Sequence, residues 1–96
     1  NDIEKGLIQM LLDKSKSNQT ASINDINYVL GVKDKNIGLQ KKVRSEVFNA
    51  VNEKFKLISD WDEPLIQSIR SESDKRYFEY MIRKDMIKEA EKVLQN

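Results

Sequence analysis

The side chains of this sequence that could do chemistry are the basic and amide groups concentrated between Lys33 and Lys56. This stretch contains seven lysines and arginines against three carboxylates, an excess of four positive charges, although the 96-residue chain has a net charge of only +1. Such side chains attract anionic groups and donate hydrogen bonds to acceptor atoms. The charge pattern therefore predicts a local binding surface for an anionic partner.

Catalytic chemistry finds little support in the composition. The chain has no cysteine and no histidine, which are common nucleophiles, general bases and zinc ligands. Nuclease chemistry by carboxylates alone needs acidic groups that converge from separate elements, and no spacing here demands that. The acidic residues Asp60, Asp62 and Glu63 lack the ligand pattern of a calcium loop, so we interpret them as a solvated turn. We expect no enzymatic activity, no cofactor, no metal and no small-molecule ligand.

Length and composition predict one folded domain of residues 1–96. Hydrophobic residues make up 39% and charged residues 34% of the chain, which is typical of a soluble globular domain. The sequence contains no apolar run of membrane-spanning length and no secretory signal. Together with the lack of cysteine, this predicts a cytoplasmic protein, associated with the nucleoid if the source is bacterial. Because the first residue is Asn1 rather than Met, we expect the chain to be excised from a longer protein.

Two helices are predicted in the first third of the chain. The first is capped by Asn1 or Asp2 and runs to about Lys16, with an apolar stripe of Ile3, Leu7, Ile8, Leu11 and Leu12. The second begins at Ser22, which forms a capping box with Asp25. It runs to Leu30 and is expected to bury Ile23, Ile26, Val29 and Leu30. Gly31 suits the left-handed conformation that ends a helix.

A basic third helix is predicted after a connector of residues 33–40. It spans Gln40 to about Phe55 and directs Val43, Val47, Ala50 and Val51 toward the core. The opposite face contains no carboxylate and consists of Lys41, Lys42, Ser45, Asn49, Asn52 and Lys56. Because an ordinary solvated face mixes both signs of charge, this bias favours a binding role.

The last third of the chain predicts a β-hairpin and a final helix. Residues 65–70 and 77–82 have strand character and flank a polar turn at residues 71–76. A helix then begins near Asp85, with Met86, Ile87, Ala90, Val93 and Leu94 as its apolar stripe. An all-helical bundle is the alternative, because residues 77–94 also fit helical spacing. We interpret Trp61 as core, and Tyr77, Phe78 and Tyr80 as core and cross-strand packing or, alternatively, as a stacking platform for single-stranded nucleic acid.

The stretch SINDINYVLGV from Ser22 to Val32 is the motif that carries a family resemblance. A short capped helix ending in Leu-Gly-Val, followed by a basic helix, a hairpin and a helix, resembles the winged helix-turn-helix superfamily over nearly the whole chain. The resemblance implies a mostly helical α+β fold in the order helix-helix-helix-strand-strand-helix. It also implies binding of double-stranded DNA, with the third helix in the major groove, in a transcriptional regulator or a replication or recombination protein.

The resemblance assigns roles to particular residues. Base edges would be contacted near the start of the third helix, by Asn36, Gln40, Lys41, Arg44 and Ser45, with Asn49 further along the same face. Phosphates would be neutralised by Lys33, Lys35, Lys42 and Lys56. The tip of the hairpin would contact the DNA backbone or minor groove through Arg70, Lys75 and Arg76, although Glu72 and Asp74 share that tip.

A second hypothesis is a protein-interaction module on the same fold. The last helix could pair with a second copy or with an adaptor partner through those apolar residues that the core leaves exposed. The candidates are Met86, Ile87, Val93 and Leu94. A homodimer formed in this way would be compatible with DNA binding.

Overall fold

The computed structural model describes residues 1–59 and 62–95, which form a helical body with a small antiparallel hairpin. In chain order the elements are α1 (Asp2–Lys16), α2 (Ile23–Val29), α3 (Ile37–Ser59), β1 (Ile66–Arg70), β2 (Phe78–Ile82) and α4 (Ile87–Gln95), with a 3-10 turn at Lys84–Met86 before α4. The prediction of a mostly helical α+β fold is confirmed. The all-helical alternative is wrong, because β1 and β2 pair as strands.

The ends of the first two helices follow the predicted capping chemistry. The side chain of Asn1 accepts a hydrogen bond from the Glu4 backbone at the start of α1. At the start of α2, the Ser22 hydroxyl accepts from the Asp25 backbone and the Asp25 carboxylate accepts from the Ser22 backbone, each at 3.0 Å. Gly31 has a φ of +76° after α2, as the predicted left-handed ending requires.

The third helix is longer than predicted at both ends. It begins at Ile37 rather than Gln40, because the Asn36 side chain accepts a hydrogen bond of 2.8 Å from the Leu39 backbone. This cap stabilises the first turn despite the low helix propensity of Gly38. The helix continues to Ser59 because no glycine or proline interrupts it before Pro64.

The core lies where α1, α2, the middle of α3, the hairpin and α4 meet. Its buried apolar residues are Leu7, Ile8, Leu11, Leu12, Ala21, Ile26, Leu30, Val32, Val51, Phe55, Leu65, Ile66, Ile82, Met86 and Ala90. One assignment differs from the prediction at the start of α1, since Ile3 is 51% exposed, while the neighbouring Glu4 is buried. The reason is that α3 presents Lys54 at this end, and its ammonium lies 2.7 Å from the Glu4 carboxylate.

The hairpin is attached to the helical body through β2. Its register pairs Ile66 with Ile82 and Arg70 with Phe78. Ala21, between α1 and α2, forms a bridge with Tyr80, with two backbone hydrogen bonds of 2.8 Å. The Tyr80 ring also packs on Phe48 of α3, with ring centres 5.1 Å apart. The end of β2 nearest Ile82 is therefore anchored, whereas most residues of the turn beyond the buried Ser71 are exposed.

Predicted packing of the hairpin aromatics is confirmed only in part. Tyr80 packs as expected, but Tyr77 is 55% exposed and Phe78 is 38% exposed. Both residues lie at the distal end of the hairpin, where a depression separates them from the first turn of α2. None of the helices in the described part of the chain combines the length and the hydropathy of a membrane-spanning segment.

Candidate nucleic-acid interface

A surface of exposed lysines covers the turn after α2 and the first half of α3. We call it the lysine surface, and it consists of Lys33, Lys35, Lys41, Lys42, Ser45 and Asn49, all of which are exposed. Over the described ranges 1–59 and 62–95, Lys35, Lys41 and Lys42 have no carboxylate within ion-pair distance. The ammonium of Lys33 lies 5.1 Å from the centre of the Tyr28 ring.

Several other lysines of the helices differ because they lie beside carboxylates. Lys14 lies 3.7 Å from Asp25, and Lys54 lies 2.7 Å from Glu4. Lys56, for which the resemblance implied a phosphate contact, lies 3.9 Å from Glu53. The positive charge of α3 is therefore least compensated in its first half, because Glu46 is the one carboxylate in that part of the helix.

Arg44 does not face solvent as a base-contacting residue would. It is half-buried, and its Nη1 donates a hydrogen bond of 2.9 Å to the Oδ1 atom of Asn27 in α2. Asn27 is only 4% exposed, so its side chain depends on this partner. The structure therefore places Arg44 at the contact between the two helices, where its guanidinium is only partly accessible.

Gln40 and Asn36 are likewise engaged in the turn between α2 and α3. The Nε2 atom of Gln40 donates to the carbonyl oxygens of Val32 and Lys33, at 3.0 and 3.1 Å. Asn36 caps α3, as described above. These two amides hold the lysine surface in place, and in this structure they do not project freely toward a partner. The spacing of Asn36 and Leu39 is a helix-cap signal that the sequence analysis did not use.

Asn52 was also predicted on the outer face of α3 but is half-buried. Its Oδ1 atom accepts a hydrogen bond of 3.1 Å from the backbone nitrogen of Ile66. This bond joins α3 to the first residue of β1. The outer face is therefore narrower than its helical spacing predicts.

At the tip of the hairpin, the arginines have intramolecular partners. Arg76 donates from Nε and Nη2 to the Asp74 carboxylate, at 3.1 and 2.8 Å. These bonds hold the pKa of the Asp74 carboxyl below its ordinary value. Arg70 donates to the backbone carbonyl of Lys75 and lies over the Phe78 ring. Of the three predicted cations, Lys75 is exposed without a side-chain ion pair within the part of the chain described here.

The remaining predicted features lie elsewhere. Asp60 and Trp61 fall outside the described residues, while Glu63 pairs with Arg83 at 2.6 Å. No cluster of three or more acidic side chains that could hold a metal ion occurs among the described residues.

In the region of the last helix, where exposed apolar residues were predicted as a protein contact, Met86 is fully buried. Its neighbours are only partly buried, namely Ile87, Val93 and Leu94.

Sequence reasoning missed two exposed apolar features. Tyr28 on α2 is 69% exposed, and its position two residues after buried Ile26 could have indicated an outward side chain. Leu57 and Ile58, near the end of α3, are 86% and 67% exposed. Ile58 borders a cavity of about 220 Å³ whose apolar lining includes Phe55.

In comparisons with known proteins, no protein-family model, no curated protein and no solved structure matches this chain.

Proposed function

We propose that this chain is a winged helix-turn-helix domain that binds double-stranded DNA through the lysine surface. Its role would be that of the DNA-binding part of a transcriptional regulator or of a replication or recombination protein. The observation that carries the proposal is the cluster of exposed lysines without carboxylate partners at the start of α3, within the described part of the chain. Such a cluster neutralises phosphates and releases counterions on binding.

The shape of α3 supports insertion into a groove. Of its first ten residues, seven are exposed and three are half-buried, so this end of the helix protrudes from the body. The major groove of B-DNA, about 12 Å wide, admits an α-helix. Ile37 and Leu39, exposed at 71% and 38%, can contact thymine methyl groups there.

The contacts within the fold suggest a division of roles. Lys33, Lys35 and Lys42 would neutralise phosphates, while Lys41, Ser45 and Asn49 would face base edges. Arg44, Gln40 and Asn36 would act as positioning residues, because their hydrogen bonds hold α3 against α2 and the turn. At the hairpin, Lys75 is the exposed cation that can reach a phosphate.

The arrangement of elements also supports the family proposal. Three helices precede a hairpin, and the segment between α1 and α2 pairs with β2 through the bridge of Ala21 and Tyr80. The tip of the hairpin can therefore flank the helix that would enter the groove. This arrangement is consistent with the winged helix-turn-helix resemblance of Ser22 to Val32.

Duplex binding by a Lys41→Ala/Lys42→Ala double variant tests the proposal. Fluorescence anisotropy with a labelled duplex of mixed sequence, measured over a series of salt concentrations, gives affinity and salt dependence together. We expect the double variant to bind at least about tenfold more weakly at low salt. The slope of log K against log salt should become less steep by about 1, because Lys42 is the phosphate contact of the pair.

A matched control is available on α4. Lys88→Ala/Lys92→Ala removes two exposed lysines away from the lysine surface and should change affinity by less than about twofold if binding is local. Equal losses in the two double variants would indicate binding by overall charge. No duplex binding by the unaltered chain at low salt would contradict the proposed function.

A second candidate function is self-association, which the exposed Leu57 and Ile58 favour. Ile58 borders the cavity described above, together with Val93 of α4, and contiguous exposed apolar residues of this kind often mark protein contacts. Sedimentation velocity should show a concentration-dependent dimer that Ile58→Asp converts to monomer. A monomer at all concentrations would contradict this candidate and leave the DNA proposal unaffected.

A further inference from the structure

Three aromatic rings stay exposed on α2 and on the hairpin, and we call them the aromatic surface. They are Tyr28, Tyr77 and Phe78, which are 69%, 55% and 38% exposed. A cation lies over each ring, at a distance from the ring centre of 5.1 Å for Lys33 on Tyr28, 5.6 Å for Arg76 on Tyr77 and 4.9 Å for Arg70 on Phe78. The rings are therefore close to positive charge while much of their surface remains accessible.

A continuous path across α2 connects these rings. One depression in the surface lies between Tyr77, Phe78 and the first turn of α2, including Ile23 and Asn24. A second depression lies between Tyr28, Lys33 and the same two residues of α2. Because Ile23 and Asn24 line both depressions, an extended ligand can reach from the hairpin rings to Tyr28.

We propose that the aromatic surface binds single-stranded nucleic acid, with unpaired bases stacked on the rings and phosphates near the adjoining cations. Exposed aromatic rings beside cations provide the two contacts that such strands need, namely π faces and positive charge. A duplex keeps its bases stacked inside the helix and cannot use the rings in this way. The surface therefore constitutes a second binding activity, which does not require duplex binding by the lysine surface.

The carboxylates near the path are engaged by the fold. Asp74 accepts two hydrogen bonds from the Arg76 side chain, and Glu79 accepts a bond of 2.6 Å from the Thr20 hydroxyl. Asp25 takes part in the capping box of α2 and lies 3.7 Å from Lys14. The ion pairs of Asp74 with Arg76 and of Asp25 with Lys14 offset part of the repulsion that a phosphate strand would meet, whereas Glu79 keeps its negative charge.

The experiment compares unpaired strands with a duplex. Labelled oligothymidylate and oligouridylate of about 12 nucleotides, a length within the usual site sizes, are titrated with the chain at low salt. We expect both the wild-type chain and the Lys41→Ala/Lys42→Ala variant to bind them. Tyr28→Leu/Tyr77→Leu should weaken binding at least about tenfold, since stacking contributes about fivefold to a hundredfold per base.

Matched variants separate stacking from other effects. Tyr28→Phe/Tyr77→Phe keeps both rings and should retain the wild-type affinity for the unpaired strands, whereas the leucine variant should keep its affinity for the duplex. The proposal is supported if either strand binds the wild-type chain and the phenylalanine variant and binds the leucine variant more weakly. The strand that binds more tightly shows whether the surface prefers DNA or RNA. Undetectable binding of both strands, or unchanged affinity of the leucine variant, overturns it. If the chain bound the unpaired strands but no duplex, the proposed function would be contradicted, and single-strand binding by the aromatic surface would still stand.

Discussion

The first half of α3 and the tip of the hairpin contain similar cations in different surroundings. On α3, Lys41 and Lys42 project into solvent without a carboxylate partner among the residues that the structure describes. On the hairpin, Arg76 is bound to Asp74, and Arg70 is bound to a backbone carbonyl. The positive charge of α3 is therefore available to a phosphate. On the hairpin, Asp74 offsets the charge of Arg76, and the Arg70 guanidinium is held by a hydrogen bond within the turn.

This difference bears on what each region can bind. Uncompensated lysines produce a long-range potential that attracts a polyanion. Arg76 is paired with Asp74 and adds little net potential, whereas Arg70 keeps its positive charge beside the Phe78 ring. The exposed rings beside these arginines offer flat surfaces that suit stacking. We therefore assign duplex affinity mainly to α3 and base stacking to the hairpin and α2.

Charge reversal should separate the two regions most strongly. Lys41→Glu/Lys42→Glu is expected to lower duplex affinity by about a hundredfold at low salt, because two attractive contacts become repulsive. Lys42→Glu alone should cost about tenfold, and its matched hairpin variant Lys75→Glu only about twofold. Anisotropy titrations with one duplex at one salt concentration measure all three. If Lys75→Glu weakened duplex binding as much as Lys42→Glu, the tip of the hairpin would contribute as much to duplex affinity as α3.

Removing the Arg44 guanidinium should mainly affect stability. Arg44→Met leaves the buried Oδ1 atom of Asn27 without its partner, which is expected to lower the free energy of unfolding by about 2 kcal/mol. Chemical denaturation measures this loss. Lys42→Met, an exposed position on the same helix, should change stability by no more than about 0.5 kcal/mol. Equal stability of the two variants would show that the contact with Asn27 is not significant.

Loss of the Asn36 cap should shorten α3 at the end that forms the lysine surface. Asn36→Ala is expected to lower the free energy of unfolding by about 1 kcal/mol and to loosen residues 37–39. Denaturation and backbone chemical shifts measure the two effects. The neighbouring Lys35→Ala should leave both unchanged. Helical shifts at Ile37 that persist in the Asn36 variant would mean that another contact determines where the helix begins.

The smallest expected effect concerns pH and the pair of Glu4 and Lys54. The hydrogen bond from Lys54 lowers the pKa of the Glu4 carboxyl. A lowered pKa means that the pair stabilises the fold above the ordinary pKa of glutamate and that this contribution disappears as pH falls below about 4. Lys54→Met should therefore lower the free energy of unfolding at neutral pH by about 1 kcal/mol or less, and by a smaller amount at acidic pH.

Denaturation curves measured between neutral and acidic pH test this expectation. Asp25 and Asp74 also have carboxyl groups with lowered pKa, through bonds from Ser22 and Arg76 respectively. Both remain in the Lys54 variant, so the comparison with the unaltered chain isolates the pair. A difference in stability that does not depend on pH would attribute the effect to packing of the lysine side chain.

Local chemistry was sufficient to predict most elements of the fold. Capping at Ser22, the left-handed Gly31 and the alternation of the two strands depend on neighbours in sequence, so the helices and the hairpin could be placed before the structure was known. The start of α3 was misplaced because the weakness of Gly38 was weighed without the cap that Asn36 provides. Exposure of Tyr77 and Phe78 could not be predicted, because strand spacing does not reveal where the helical body stops.

The excess of basic residues between Lys33 and Lys56 can be recognised without a fold, so the charge pattern along the chain is enough to predict a surface that attracts anions. Which of those residues are available to a partner depends on the contacts formed when the chain folds. Arg44, Gln40 and Asn52 are taken up by contacts with α2, the following turn and β1. The partners of Arg44 and Asn52 lie on other elements, and those of Gln40 lie in the turn before α3. Because these contacts depend on how the turn folds and the elements pack, helical spacing cannot show them.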